Sequence, residues 1–313
     1  MDLRFDHLIH AVSDPERARQ AFADRFGWHT VAGGEHPGFG TYNALAYFGL
    51  PYIEWVGVRK PDVAAGRLFG RDVLRALRSG EGPMQFAVRT QDIEGVAARW
   101  RRAGLVHEGP VEASRVRPDG VTLRWRMLFP AQEPGGLLLP FVIEWPTPDE
   151  VRLADLRQSG LSPDPAGAPR LRAVHAVVRD LARLQRNLAA YFPGVLEPCE
   201  SSAQGRGVRW PCGEVTVFIW EPADGALRRV LDTVGERPFL AEFELSAGAM
   251  AQRSAAVVAA DGAIGASLGL PDAGAQGADA AARGGLTRTA ADAARRLKAA
   301  GAPVHGLWVV TCG

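Results

Sequence analysis

Three side chains of types that chelate ions or move protons stand at strand-like positions: His7 in FDHLIHAV, Glu54 in PYIEWVGV and Glu144 in FVIEWP. One imidazole and two carboxylates can hold a hard or borderline divalent ion with positions open for substrate and water, which suits Fe(II), Mn(II) or Zn(II). In such a site the ion would polarise a substrate's oxygens while Glu54 or Glu144 carries a proton. Gln85 shares the inner face and offers an amide oxygen. In TLRWRMLFP, Arg124 and Arg126 face the same side, because side chains two apart on a strand share a face. That pair suits a carboxylate bound bidentately. It equally suits neutralising Glu54 and Glu144 with no metal, and His7 can be a satisfied strand histidine, since structural pairing also perturbs such groups.

The remaining candidates are weaker. His10 and His175 both sit in His-Ala-Val, and the parity of His10 points it at a helix-covered face, a packing role. His29 follows a helix end, where a polar ring meets carbonyl groups; His107 and His305 have no evident partner. The run Gly33 to Gly40 lacks Gly-Lys-Ser, so it is not a phosphate loop. It reads as a tight loop over a pocket mouth, with Thr41 and Asn43 presenting hydrogen-bonding groups, or as a structural turn. Cys199, Cys212 and Cys312 have no usable histidine neighbour and form no CxxC. Trp55 and Trp145, each beside a glutamate, read as packing under a helix.

The elements that must position these residues repeat. Residues 5 to 12 read as a strand, Ser13 or Asp14 as a cap, and Pro15 to about Phe26 as a helix ended by Gly27. HTVAG, TYNALAYFG and PYIEWVGV follow as strands, giving β-α-β-β-β. The same order returns in PMQFAVRTQD, DIEGVAARWRRAG, LVHEGPVEAS, TLRWRMLFP and LLLPFVIEWP, and a third start appears at LRAVHAVVRDLARL. Ile53-Glu54-Trp55 matches Ile143-Glu144-Trp145, and His10-Ala11-Val12 matches Phe86-Ala87-Val88. A half-buried sheet with one covering helix must pair with another to bury its core. Residues 1–147 thus form a paired domain, 148–170 a linker rich in Pro and Gly, and 171–245 a looser third module. Residues 246–313 are an Ala/Gly-rich extension with no assigned structure; RPFLAEFEL just before it can start a fourth unit and TRTAADAARRLKAAG within it can be that unit's helix, but its closing strands are missing.

A formal net charge of +1 over 313 residues leaves no global field for nucleic acid or an anionic membrane. No apolar run approaches the ~20 residues of a membrane span, and the charged start lacks a signal-peptide core. A soluble cytoplasmic protein with a small-molecule ligand is expected, with a homodimer left open.

The opening Asp6-His7 with its capped helix, the stretch GGEHPGFGTYNA, the two Ile-Glu-Trp strand ends and Leu123-Arg124-Trp125-Arg126 together resemble the vicinal-oxygen-chelate superfamily, and within it the glyoxalase-like domain proteins. The resemblance covers residues 5 to 147 well and 171 to 222 loosely. It implies an α+β fold whose βαβββ modules form a half-open barrel with a metal on its concave face. The implied ligands are His on the first strand and Glu on the last strand of each unit. His7 matches the first position, Glu54 the second and Glu144 the fourth; the third falls on Pro83, which has no donor atom. The implied function is a metal-assisted lyase, isomerase or dioxygenase acting on an oxygen-rich anionic substrate held by Thr41, Asn43, Gln85, Arg124 and Arg126. The alternative is a metal-free binding or sequestration protein. Fold alone does not name the reaction.

Overall fold

The computed structural model describes residues 2–117, 119–164, 168–245 and 289–312. The first unit comprises β1 (Arg4–Ala11), α1 (Pro15–Phe26), β2 (Val31–His36), β3 (Thr41–Tyr47) and β4 (Tyr52–Val58). Helices α2 (Pro61–Ala65) and α3 (Leu68–Arg78) lead to the second unit: β5 (Gly82–Arg89), α4 (Ile93–Arg102), β6 (His107–Val116), β7 (Thr122–Pro130) and β8 (Phe141–Glu144). After α5 (Asp149–Gln158) comes the third unit: β9 (Arg170–Val177), α6 (Leu181–Tyr191), β10 (Glu197–Pro198), β11 (Gly205–Cys212) and β12 (Val215–Pro222). Then follow α7 (Gly225–Val234), β13 (Arg237–Glu244), α8 (Ala290–Ala300) and β14 (Trp308–Cys312).

Local chemistry explains the repetition. Asp14, Asp92 and Asp180 cap α1, α4 and α6, each accepting a first-turn backbone N–H. Gly27 ends α1 at φ 67°, a left-handed conformation that a side chain would oppose. Two residues before each cap, the N–H of Val12, Thr90 and Val178 donates to the carbonyl of Val56, Ile143 and Trp220 on the unit's last strand. These equivalent bonds set the three units in register. His7, Gln85 and Ala173 take one place, and Glu54, Phe141 and Phe218 another.

The first two units share one sheet, and the third shares another with β13 and β14. The first sheet has eight strands in the order β2-β3-β4-β1-β5-β8-β7-β6 and curls into a half-open barrel; the second has six, β10-β11-β12-β9-β13-β14. The fold is α+β, built from repeated βαβββ modules. The convex faces, with α1, α4 and α6, share one core in which Phe86 meets Trp210 (ring centroids 6.0 Å) and Trp28 meets Phe243 (4.8 Å). The concave faces point away from this core. On the second sheet the concave face is filled by α7 and α8; on the first, α3 covers it only in part.

Two expectations change here. The stretch read as a linker carries α5, which docks because Leu156 is buried among Leu45, Tyr47, Leu50 and Tyr52. Of the Ala/Gly-rich extension, 246–288 lie outside the described residues. The rest supplies α8, capped by Thr289 in a box with Asp292, and β14, which pairs in parallel with β13.

Candidate functional site

On the first sheet's concave face lies a cavity with about 460 Å3 of free space, its open side included. β1 and β4 bring His7 and Glu54 there, both buried, with His7 Nε2 3.4 Å from Glu54 Oε2. Behind His7, Asp6 Oδ1 lies 2.7 Å from Nδ1, and the other Asp6 oxygen accepts from Trp145 Nε1 (3.0 Å) and Arg152 Nη1 (2.9 Å). On the far side, Asn43 Nδ2 donates to Glu54 Oε1 (2.5 Å), while Asn43 Oδ1 accepts from Arg115 Nη1 (3.0 Å) and from Gly34 N. A continuous chain therefore runs from behind the cavity across its floor: Arg152 and Asp6 behind it, then His7, Glu54, Asn43 and Arg115 lining it. Tyr52 stacks on His7 at 4.5 Å, and His36, bonded through Nδ1 to Thr41 Oγ1 (3.0 Å), completes the polar part of the wall.

The charges follow from these contacts. Burial alone would push Glu54 up, but the hydrogen bond and charge of His7, with His36 and Asn43, hold it at about 2. Burial would push His7 down, yet bonds and charges from Asp6 and Glu54 raise it above an ordinary imidazole. Asp6 resists the upward push of burial through Arg152 and His7 and stays well below the usual carboxylate range. Burial lowers His36 to about 4, so it is neutral at pH 7. The polar chain thus sets the carboxylates of Asp6 and Glu54 against the imidazole of His7 and the guanidinium groups of Arg152 and Arg115.

The structure separates several residues that the sequence grouped. Glu144 is not in the cavity: its Oε1 accepts from Ile93 N (3.0 Å) at the start of α4, and its Oε2 from Arg126 Nε (2.8 Å), on the helix-bearing face. The Ile-Glu-Trp match is three residues out of step with the ladder, and an odd offset moves a side chain to the opposite face of a sheet. Arg126 pairs with Glu94 and Glu144, and Arg124 is exposed; their neighbours Trp125 and Met127 face the cavity instead. Trp145 also lines the cavity, whereas Trp55 packs on Phe22 under α1 as expected. The third ligand place falls on Gln85 rather than Pro83, which pairs with His10. His10 packs edge-on to Phe22, but His175 lies on the concave face of its own sheet, because the His-Ala-Val match is out of step by one. Thr41 and Asn43 are both buried in β3 rather than in a loop over the cavity; Asn43 lines it, and Thr41 holds His36, which also lines it.

Sequence reasoning missed Arg115, His36, Asp6 and Arg152 as members of the site. Gly33 and Gly34 were the legible signal for Arg115. A Cβ on Gly33 would stand 2.7 Å from Arg115 Nη1, and one on Gly34 2.8 Å from Arg115 Cγ. The two glycines clear a path for that side chain from β6 across β2 to β3.

A divalent ion does not fit these residues as the resemblance implies. Of the four equivalent places, His7 and Glu54 carry donors that face the cavity and already engage each other. The Gln85 amide donates to Leu139 O, and Phe141 has no donor atom. Among the described residues, no three His, Cys, Asp or Glu side chains gather in a group able to hold a metal. Three protein ligands are the usual minimum even in open catalytic zinc sites.

The first sheet is thus a concave surface of paired βαβββ units with a partly buried polar floor. A profile of the glyoxalase-like domain matches residues 5–192, so the chain belongs to that family of the vicinal-oxygen-chelate superfamily. No curated protein matches it. Among solved structures, a hypothetical protein from Staphylococcus aureus is similar at 19% identity, TM-score 0.64, covering 78% of this chain and 91% of that one. A mutant of 4-hydroxymandelate synthase from Streptomyces coelicolor aligns at 15% identity, TM-score 0.49, over 82% and 75%. Methylmalonyl-CoA epimerase from Mycobacterium tuberculosis aligns at 21% identity, TM-score 0.35, over 48% and 91%. The likeness to the Staphylococcus aureus protein speaks for the fold. No helix among the described residues is long and apolar enough to cross a membrane.

Proposed function

We propose that the cavity of the first sheet binds a small organic molecule, and that the chain is a glyoxalase-like binding protein working without a chelated metal. The observation that carries this reading is the hydrogen-bonded floor from Asp6 to Asn43 set in an otherwise apolar wall, the composition typical of ligand sites. The lyase, isomerase and dioxygenase readings need a base near neutrality or an ion. Glu54 at about 2 is poorly matched to proton abstraction at pH 7, and His7 is already placed between two carboxylates. Sequestration or delivery of a ligand asks for neither. The test is a thermal-shift and tryptophan-fluorescence screen of small organic molecules, run with and without chelator; Trp125 and Trp145 in the wall report occupancy. Ligands that stabilise the protein equally in both conditions are expected. Binding that disappears with chelator and returns with Fe(II), Mn(II) or Zn(II) would overturn the metal-free part, and a screen without binders the whole.

A further inference from the structure

Arg115 is buried at 5% exposure, and its Nε meets no hydrogen-bond partner. Arg89, Arg117 and Arg152 are comparably buried, and each has a carboxylate within 3.0 Å; Arg237, also buried, forms no ion pair among the described residues but does not line the cavity. Among the described residues, no carboxylate forms such an ion pair with Arg115; its one bond to a side chain goes to the neutral amide of Asn43. Burying a guanidinium without counter-charge is costly, so the geometry leaves room for an anion arriving with the ligand. A planar guanidinium fork matches a carboxylate in particular. The rest of the wall offers Phe39, Phe69, Phe141, Trp125 and Trp145, flat surfaces against which an aromatic body packs. A second negative group on the ligand would meet the Glu54 carboxylate, which also lines the cavity.

We propose that the ligand is an aromatic monocarboxylate whose carboxylate is received by Arg115, with its ring among the cavity's tryptophans and phenylalanines. This rests on the binding reading above and adds the charge and shape of the ligand to it. Gly33 and Gly34 act as positioning residues, because a side chain at either would displace the guanidinium.

The test compares two acid–amide pairs of nearly equal shape, benzoate with benzamide and phenylacetate with phenylacetamide, by tryptophan fluorescence on the full-length protein. Wild type is expected to bind each carboxylate about tenfold or more tighter than its amide, the scale of one hydrogen-bonded charge pair. Arg115→Gln keeps a donor toward Asn43, and should bring each pair to parity while amide binding persists. Arg124→Gln, on the exposed side of β7, should leave the preference intact. The wild-type comparison stands even where Arg115→Gln fails to fold. Acid and amide bound equally by wild type would overturn the carboxylate assignment while leaving small-molecule binding in place. A preference that survives in folded Arg115→Gln would overturn the role of Arg115. Absence of binding by any of the four compounds would overturn this inference, whereas the broader screen decides the binding reading separately.

Discussion

Ile9 in the first sheet and His175 in the second hold the same place in their units, yet they face different surroundings. Ile9 belongs to the wall of an open concave face, where α3 packs against the strands but leaves the His7–Glu54 floor reachable. His175 lies under α7 and α8, its Nε2 2.8 Å from Glu242 and its Nδ1 accepting from Trp220 Nε1 at 3.0 Å, with Arg296 of α8 3.0 Å from the same glutamate. Both faces carry buried ionisable groups. On the second, partners within the chain satisfy them and apolar helices close over them, so that face is core. On the first, the polar chain ends at Arg115, which has no carboxylate of its own. Two similar sheets thus differ: one concave face is core, and the other carries the cavity proposed to bind a ligand.

The largest effect is expected where the second face is treated as if it were a pocket. Trp220→Ala should cost about 3–5 kcal/mol in chemical unfolding, the range for deleting a large buried aromatic, with ligand binding retained by the molecules that stay folded. Glu242→Gln, which strips the shared charge from His175 and Arg296, should cost a similar ~3–5 kcal/mol. A cost near zero for either would mean that the second face is no core.

A pH titration of stability separates the groups of the first sheet. His36 and His10, held by burial at about 4 and about 3, stay neutral in the folded chain, while an unfolded histidine takes its proton near 6.5. The unfolded state therefore binds more protons as pH falls below 6.5, and stability declines from there downward. Glu54 behaves likewise below 4.5, losing its contribution as pH approaches about 2. His7 has the opposite sign: its raised value stabilises the fold fully below 6.5, and that contribution is lost as pH rises through its folded value. Melting temperature should accordingly fall on both sides of a maximum, and His36→Asn should flatten the limb between 6.5 and 4. An unchanged limb in the folded variant would contradict the neutral assignment of His36.

The smallest effect belongs to the outer face of the first sheet. Glu144→Gln should cost only about 1 kcal/mol or less, because the Arg126 side chain is 35% exposed and a glutamine oxygen can still accept from Ile93 N. Ligand affinity should not change. A loss of binding in this variant, measured by the same fluorescence titration, would return Glu144 to the site.

What could be read from the chain alone was whatever is encoded within about a dozen residues. The aspartate caps, Gly27, the strand–helix–strand order and its recurrence all depend on neighbours in sequence, so the βαβββ units and their family were legible. His7 and Glu54 stood out by type at strand-like positions, whereas Thr41 and Asn43 read as part of a loop over the pocket and lie instead in β3. Facing across units was another matter. Sheet side chains alternate with a period of two, so the match of Ile-Glu-Trp, out of step by three residues, assigned Glu144 to the wrong face, and the match of His-Ala-Val, out of step by one, gives His175 the opposite face from His10. Only the hydrogen-bond ladder sets that offset. Arg115 lay further out of reach: it joins the site because β2 and β6, the two edges of the first sheet, curl toward each other, and two glycines let its side chain across the gap to Asn43. That closure brings together residues 72 positions apart, and no local propensity in either segment records it.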